Sequence, residues 1–367
     1  MNTLSIKNSF KKLATITQLF FYILLGTLLL FSCKQEDGKS LNLLPKAKGG
    51  RGELILVMDS SKWQGELGDA MRELLTEAVP GLPRPQPMFT VRYIKPHLFA
   101  GLLKQHLNII TVTTFDTKSY GSKILQSSFT PESVQKVMNG ERFQQLKRDE
   151  YANGQLFFRL FAAEDAPLIE YIREHKEEIR SLFDKEEKLR VKADLLSVKG
   201  NTTLQENLQS QHNFSTFIPA GYRIAKDTTG FVWLRHPEAK IDRSLIFAYQ
   251  PYTSETQFEP ANIIAWRDSI AFQHIYGDPQ NPDSYVLTET LDPVISAPME
   301  LNGEYAVQSK GRWKTKNISM GGPFVSYALL DKSQKRIYYI EGFIFSPSVK
   351  QREIMREMEV ILGTFKG

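Results

Sequence analysis

Strand and helix patterns alternate through residues 53–196, and hairpin patterns replace them beyond residue 213. That change of rhythm excludes a single all-α or all-β layer and calls for two bodies of different architecture. Leu54-Ile55-Leu56-Val57-Met58 is an unbroken apolar run, as a strand covered on both faces requires. An amphipathic stretch follows, with Leu67, Met71, Leu74, Leu75 and Val79 on one face. Further strands are expected over 89–94, 108–114 and 155–161, with helices near 97–105 and 131–140. One long helix is expected over 164–196. Its apolar positions (Leu168, Ile172, Ile179, Leu182, Leu189, Leu196) suit packing on its own sheet better than a heptad seam, because His175 and Glu186 interrupt the repeat.

Residues 197–213 are polar and Asn/Gln-rich and read as the linker between the two bodies. In the second body, Tyr222–Ala225 and Phe231–Arg235 form a hairpin around Asp227-Thr228-Thr229-Gly230. Pro323–Leu330 and Arg336–Phe345 form another. A helix over 260–275 interrupts the strands, and a last one runs from Ser346-Pro347 to Gly363. The fold class is therefore α/β (α+β): an alternating β/α N-terminal layer domain over 53–196, and over 214–367 a mostly antiparallel sheet backed by helices. Between the first helix and the second strand, Val79–Pro87 carries four prolines and is expected to be extended, as a rigid connection or a docking surface.

The N-terminus carries an address. Lys7, Lys11 and Lys12 precede an uncharged run from Leu13 to Ser32, and polar sequence begins directly after Cys33. Leu30-Phe31-Ser32-Cys33 resembles a bacterial lipobox, with a small residue before the thiol that would be lipidated; Phe31 is bulkier than is usual at its place. Cys33 is the only cysteine in the chain. The alternative is an uncleaved anchor, since twenty apolar residues span a bilayer at about 1.5 Å each. On the lipoprotein reading, residues 1–32 are a signal peptide and 33–52 a lipidated, flexible tether. The protein would then sit at the outer membrane, on either the periplasmic face or the cell surface. The formal charge falls from +5 to +2 once the three N-terminal lysines are removed. A near-neutral body gives no electrostatic ground for a nucleic-acid partner.

No local motif proposes catalysis, a cofactor or a metal site: H-E-x-x-H, G-x-S-x-G, P-loop, G-x-G-x-x-G and C-x-x-C patterns are absent, and the six histidines are scattered. Asp59 and Ser60 follow the first strand, at the end where open α/β sheets bind ligands; the same spacing fits helix capping. Arg312-Trp313 and Met320-Gly321-Gly322-Pro323-Phe324 offer an aromatic and cationic surface for a glycan, an anionic group or an envelope protein. A β-bulge or hairpin turn with a core Trp is the alternative, and the one the pattern favours. Thr228, in an expected exposed turn, sits in Asp227-Thr228-Thr229, which resembles the O-glycosylation triplet of exported Bacteroidota proteins.

Together with the lipobox, Leu44-Pro45-Lys46-Ala47-Lys48-Gly49, Val57-Met58-Asp59-Ser60, Val79-Pro80-Gly81-Leu82-Pro83, Met320-Gly321-Gly322-Pro323-Phe324-Val325 and Glu341-Gly342-Phe343 resemble an uncharacterised Bacteroidota lipoprotein family. That resemblance implies lineage and address, and assigns no activity to any residue. Phe217-Ile218-Pro219-Ala220-Gly221-Tyr222 leading into a hairpin, with a strand and helix at the chain's end, is similar to the PsbP-like fold of photosystem accessory subunits and some periplasmic lipoproteins. This implies a binding or assembly module. The other reading is a hydrolase or carbohydrate-active enzyme with a cleft near Asp59, which requires two converging carboxylates.

Overall fold

β1 (Glu53–Met58) buries every residue after Glu53, as its apolar run demands. In the computed structural model, residues 44–367 are described; Cys33, the stretch before it and residues 34–43 lie outside the described residues. After β1 come α1 (Ser60–Trp63), α2 (Glu66–Thr76), β2 (Thr90–Ile94), β3 (Asn108–Thr114), α3 (Tyr120–Gln126), α4 (Pro131–Met138), β4 (Gln144–Arg148), β5 (Leu156–Ala162), α5 (Asp165–Glu174) and α6 (Lys176–Leu196). The sheet order is β2-β1-β3-β5-β4, parallel except for β4 at the edge. Successive side chains on a strand point to opposite faces. Leu54, Leu56 and Met58 thus pack with Met71 and Leu74 of α2, Leu168 of α5 and Phe183 of α6. Ile55 and Val57 pack with Leu125 of α3.

The second body contains α7 (Thr202–His212), β6 (Arg223–Thr228), β7 (Phe231–Pro237), β8 (Asp242–Pro251), α8 (Pro260–His274), β9 (Tyr276–Asp278), β10 (Asn281–Thr288), β11 (Ile295–Leu301), β12 (Glu304–Thr315), β13 (Gly321–Asp331), β14 (Arg336–Phe345) and α9 (Arg352–Leu362). Its antiparallel sheet runs β6-β7-β8-β14-β13-β12-β10-β9, with β11 also paired to β12. On one face Val232, Phe247 and Ile340 pack against Leu208 of α7 and Met358 of α9. On the other, Phe231, Ile246 and Tyr339 pack against Ile263 and Ile270 of α8. Each such buried side chain stabilises the fold by about 1.5–3 kcal/mol. α8 is also fixed by charge: Arg267 donates two hydrogen bonds of 2.9 Å to the fully buried Glu341 of β14.

Several elements differ from the sequence expectation. The long helix breaks at His175, whose ψ of 15° ends α5 and admits α6. In α6 the buried face is Ile179, Phe183, Glu187 and Val191, spaced by four, while Leu189 (57 %) and Leu196 (50 %) are exposed. Residues 97–105 form two 3-10 turns rather than an α-helix, and β4 was not foreseen. Most of the expected linker is α7, because Leu204, Leu208 and His212 recur one turn apart and are buried. The last helix starts at Arg352, not at Ser346. The end of the expected tether is docked on the body: the amides of Ala47, Lys48 and Gly52 donate to Asn153 O (2.9 Å), Gln105 O (2.8 Å) and Glu187 Oε2 (2.7 Å).

Val79–Pro87 folds back instead of extending, with Val79 N donating to Gln86 O at 2.9 Å. Its tip, Gly81 at φ +80°, approaches Gly311 so closely that a Cβ would lie 3.1 Å from the Gly311 N and O. Leu82 enters the core of the second sheet. Gln86 Oε1 accepts the amides of Gln351 (3.1 Å) and Arg352 (3.2 Å), so the first half caps α9 of the second. Beside it, Glu359 of α9 lies 2.7 Å from both Lys188 of α6 and Lys310 of β12. The two halves belong to one compact unit, Pro45–Gly367.

Candidate functional site

A cavity of about 430 Å³ opens in the second sheet beyond the C-terminal end of α8. Its buried base is Ser244, Trp313 and Phe343, with Trp233, Tyr276 and Phe345 as further walls. Both indole N–H groups are already used: Trp313 Nε1 donates to Ile344 O (3.2 Å) and Trp233 Nε1 to Ser244 Oγ (3.1 Å). The rings therefore face the cavity as apolar surfaces. His274 lies on Phe231, centroids 4.1 Å apart. Burial, and then the charge of Lys226, holds its imidazole below the ordinary range and so neutral near pH 7.

The lining includes three cations, Arg223, Lys226 and Arg235, and one acid, Asp242. Arg235 is ion-paired to Asp242 and sits 5.4 Å from the Trp233 ring. Among the described residues neither Arg223 nor Lys226 has an ion-pair partner; Lys226 Nζ reaches only Gln273 O, at 3.4 Å. Residues 223 and 226 would alternate to opposite faces in a regular strand. The β6–β7 register shifts between Ile224 and Lys226, and this irregularity brings both onto the cavity side.

At the carboxyl edge of the first sheet, Asp59, Ser60 and Lys62 are all engaged by neighbouring groups. Asp59 caps α1: Oδ1 accepts from Ser61 N (3.0 Å) and Ser61 Oγ (2.6 Å), and Oδ2 from Ser119 Oγ (2.7 Å). Burial raises its pKa, but the donors from Ser61 and Ser119 outweigh that and keep it below the ordinary carboxylate value. Gly121 packs so tightly here that a Cβ would lie 2.3 Å from Asp59 Oδ2. Ser60 Oγ accepts a 3.3 Å bond from Tyr93. Lys62 bridges Asp116 (2.8 Å) and Asp165 (2.7 Å). Among the described residues no three His, Cys, Asp or Glu side chains gather as a metal site would need, and no helix is long and apolar enough to cross a membrane.

Residues 47–195 match the family model of a domain of unknown function (DUF8532), and residues 201–364 match that of another (DUF4837). Both families are described only as domains of unknown function, so neither match assigns an activity. No curated protein matches it in sequence. Among solved structures, the protein Mog1, in a mutant form, is 8% identical with a TM-score of 0.26, covering 42% of this chain and 89% of its own. Human StAR-related lipid transfer protein 5 is 10% identical at 0.23 (50% and 95%). A STAR-related lipid transfer protein from Xanthomonas axonopodis is 15% identical at 0.19 (39% and 94%). Scores this low carry no argument about this chain.

The cavity thus lies within the segment that matches the DUF4837 model, and the Asp59 network within the segment that matches the DUF8532 model. Of the residues singled out in the sequence for a ligand surface, Trp313 and Met320 line the cavity, Trp313 as a core side chain 3 % exposed. Arg312, Trp313, Gly321 and Gly322 instead line an adjoining pocket of about 530 Å³, with Met320 and Phe345, and Phe324 is not part of its lining. Phe324 is buried beneath the Arg267 guanidinium, 4.2 Å away, and Arg312 is ion-paired to Asp292. Gly321 and Gly322 serve backbone packing: a Cβ on Gly322 would lie 2.0 Å from Ile344 O, and one on Gly321 2.8 Å from Trp313 O. Thr228 is exposed at the β6–β7 turn. Sequence reading missed Arg223, Lys226, Trp233, Phe343 and Phe345 as one surface. The Arg223/Lys226 spacing was legible, but nothing in it announces a bulge.

Proposed function

We propose that this protein is a non-catalytic binding module of the cell envelope, held at the outer membrane through a lipid on Cys33, and that its DUF4837 cavity takes an organic ligand. The supporting observation is the cavity itself: its volume lies within the range of small-molecule sites, and its aromatic walls have their N–H groups already engaged. The Asp59 carboxylate, by contrast, is occupied by three donors and held ionised, a poor setting for a general acid.

Ala225 is exposed and lines the cavity. Ala225→Trp is expected to fill the mouth while leaving the melting temperature within a few degrees of wild type. Native mass spectrometry of the protein purified from its own envelope should show a bound organic molecule that the variant lacks. A ligand retained by Ala225→Trp would place binding elsewhere. For the anchor, Cys33→Ala is expected to move the protein out of the membrane fraction or block its maturation. A cleaved mutant that stays in the membrane would remove the lipid from the proposal.

A further inference from the structure

We infer that the cavity selects an anionic organic molecule, a single carboxylate, sulfonate or phosphate on an apolar body; this inference rests on the binding-module reading above. Three observations carry it. The base and walls are Trp233, Trp313, Phe343 and Phe345, an apolar seat for a flat ring or a hydrocarbon chain. Exposed Arg223 and half-buried Lys226 stand at the rim without ion-pair partners among the described residues, whereas the third cation, Arg235, is paired with the cavity's one acid, Asp242. The β6 irregularity is the structural device that puts Arg223 and Lys226 on the same side. A strand in regular register would have turned one of them away.

Two cations with no ion-pair partner among the described residues, set above an apolar floor, attract an anion and leave a cationic ligand of the same shape unfavoured. A guanidinium binds an oxyanion bidentately, and the ammonium adds a point charge beside it. A ring and a chain are alternative apolar bodies for the same charged head, and the probes separate them.

Isothermal titration calorimetry of the purified protein tests this with naphthoate and dodecanoate as anions, and naphthylmethylammonium and dodecylammonium as cationic counterparts. The expected result is binding of at least one anion, in preference to its cationic counterpart. In Arg223→Gln/Lys226→Gln that affinity falls about tenfold or more, while the melting temperature is unchanged because both side chains are at the rim. Naphthoate in preference to dodecanoate identifies a ring ligand, and the reverse a chain. Equal binding of anion and cation, with no effect of the double variant, would overturn the ligand class and leave the binding-module reading standing. Binding of no probe, together with no molecule retained from the envelope, would overturn both.

Discussion

Glu341→Ala is expected to cost about 3–5 kcal/mol of unfolding free energy, the price of stranding a buried charge. Arg267 and Glu341 are buried on opposite elements, α8 and β14, and are joined by two hydrogen bonds of 2.9 Å. Tyr339 also donates to Glu341, and Arg267 adds Thr288 at 3.1 Å and Asp268 at 3.2 Å. Burial alone would lower the Arg267 pKa, but Glu341 more than offsets it, so the guanidinium remains charged throughout the pH range of folding. Removing the carboxylate leaves that charge over the Phe324 ring with only the partial compensation of Asp268. Since domains are stable by about 5–15 kcal/mol, this single change threatens the second body. The double variant Arg267→Met/Glu341→Leu should recover most of the loss, because desolvating two charges costs roughly what their attraction returns. Urea unfolding of both variants measures it. A loss under about 1 kcal/mol for Glu341→Ala would mean that water reaches the pair.

This pair also marks the limit of sequence reading. Glu341 lies between Ile340 and Gly342 in an apolar run, and its partner is 74 positions away on a helix, so no local spacing connects them. Where a signal was local, it was legible. The apolar run at 54–58 became the buried β1, and the turn at Gly230 became the β6–β7 hairpin. β4 escaped because Gln144-Gln145-Leu146-Lys147-Arg148 is a partly exposed edge strand with no apolar alternation, recruited by backbone pairing to β5. The α5–α6 break escaped because both helices bury apolar residues in one core with the same sheet face, so the periodicity continues across His175. For the cavity, Trp313 and Met320 were legible in the sequence but the site was not, because its walls are drawn from strands β6 to β14 and its charge pattern depends on a shift of register.

Glu359 should make the protein's stability fall as the pH drops from about 5 towards 2, a loss that Glu359→Gln removes from the pH profile. Burial pushes this carboxyl up, but the ammonium groups of Lys310 and Lys188, each 2.7 Å away, prevail and hold its pKa at about 2. The folded value lies below the ordinary 4.5, so ionised Glu359 stabilises the fold above the unfolded pKa, and that contribution disappears as the pH falls through the folded one. The shift corresponds to roughly 3 kcal/mol near neutral pH. The position gives the loss its meaning, because Lys188 belongs to α6 of the first half and Lys310 to β12 of the second. Asp184 still pairs with Lys188 at 2.7 Å when Glu359 is protonated, whereas Lys310 is left without this partner. Denaturant unfolding of wild type and Glu359→Gln across this pH range isolates the effect, since the other carboxylates cancel in the difference. That difference should be about 3 kcal/mol near pH 7 and close to zero near pH 2. A difference that stays constant with pH would show that Glu359 acts by packing alone, and that Gln86 and Leu82, rather than its charge, join the two halves.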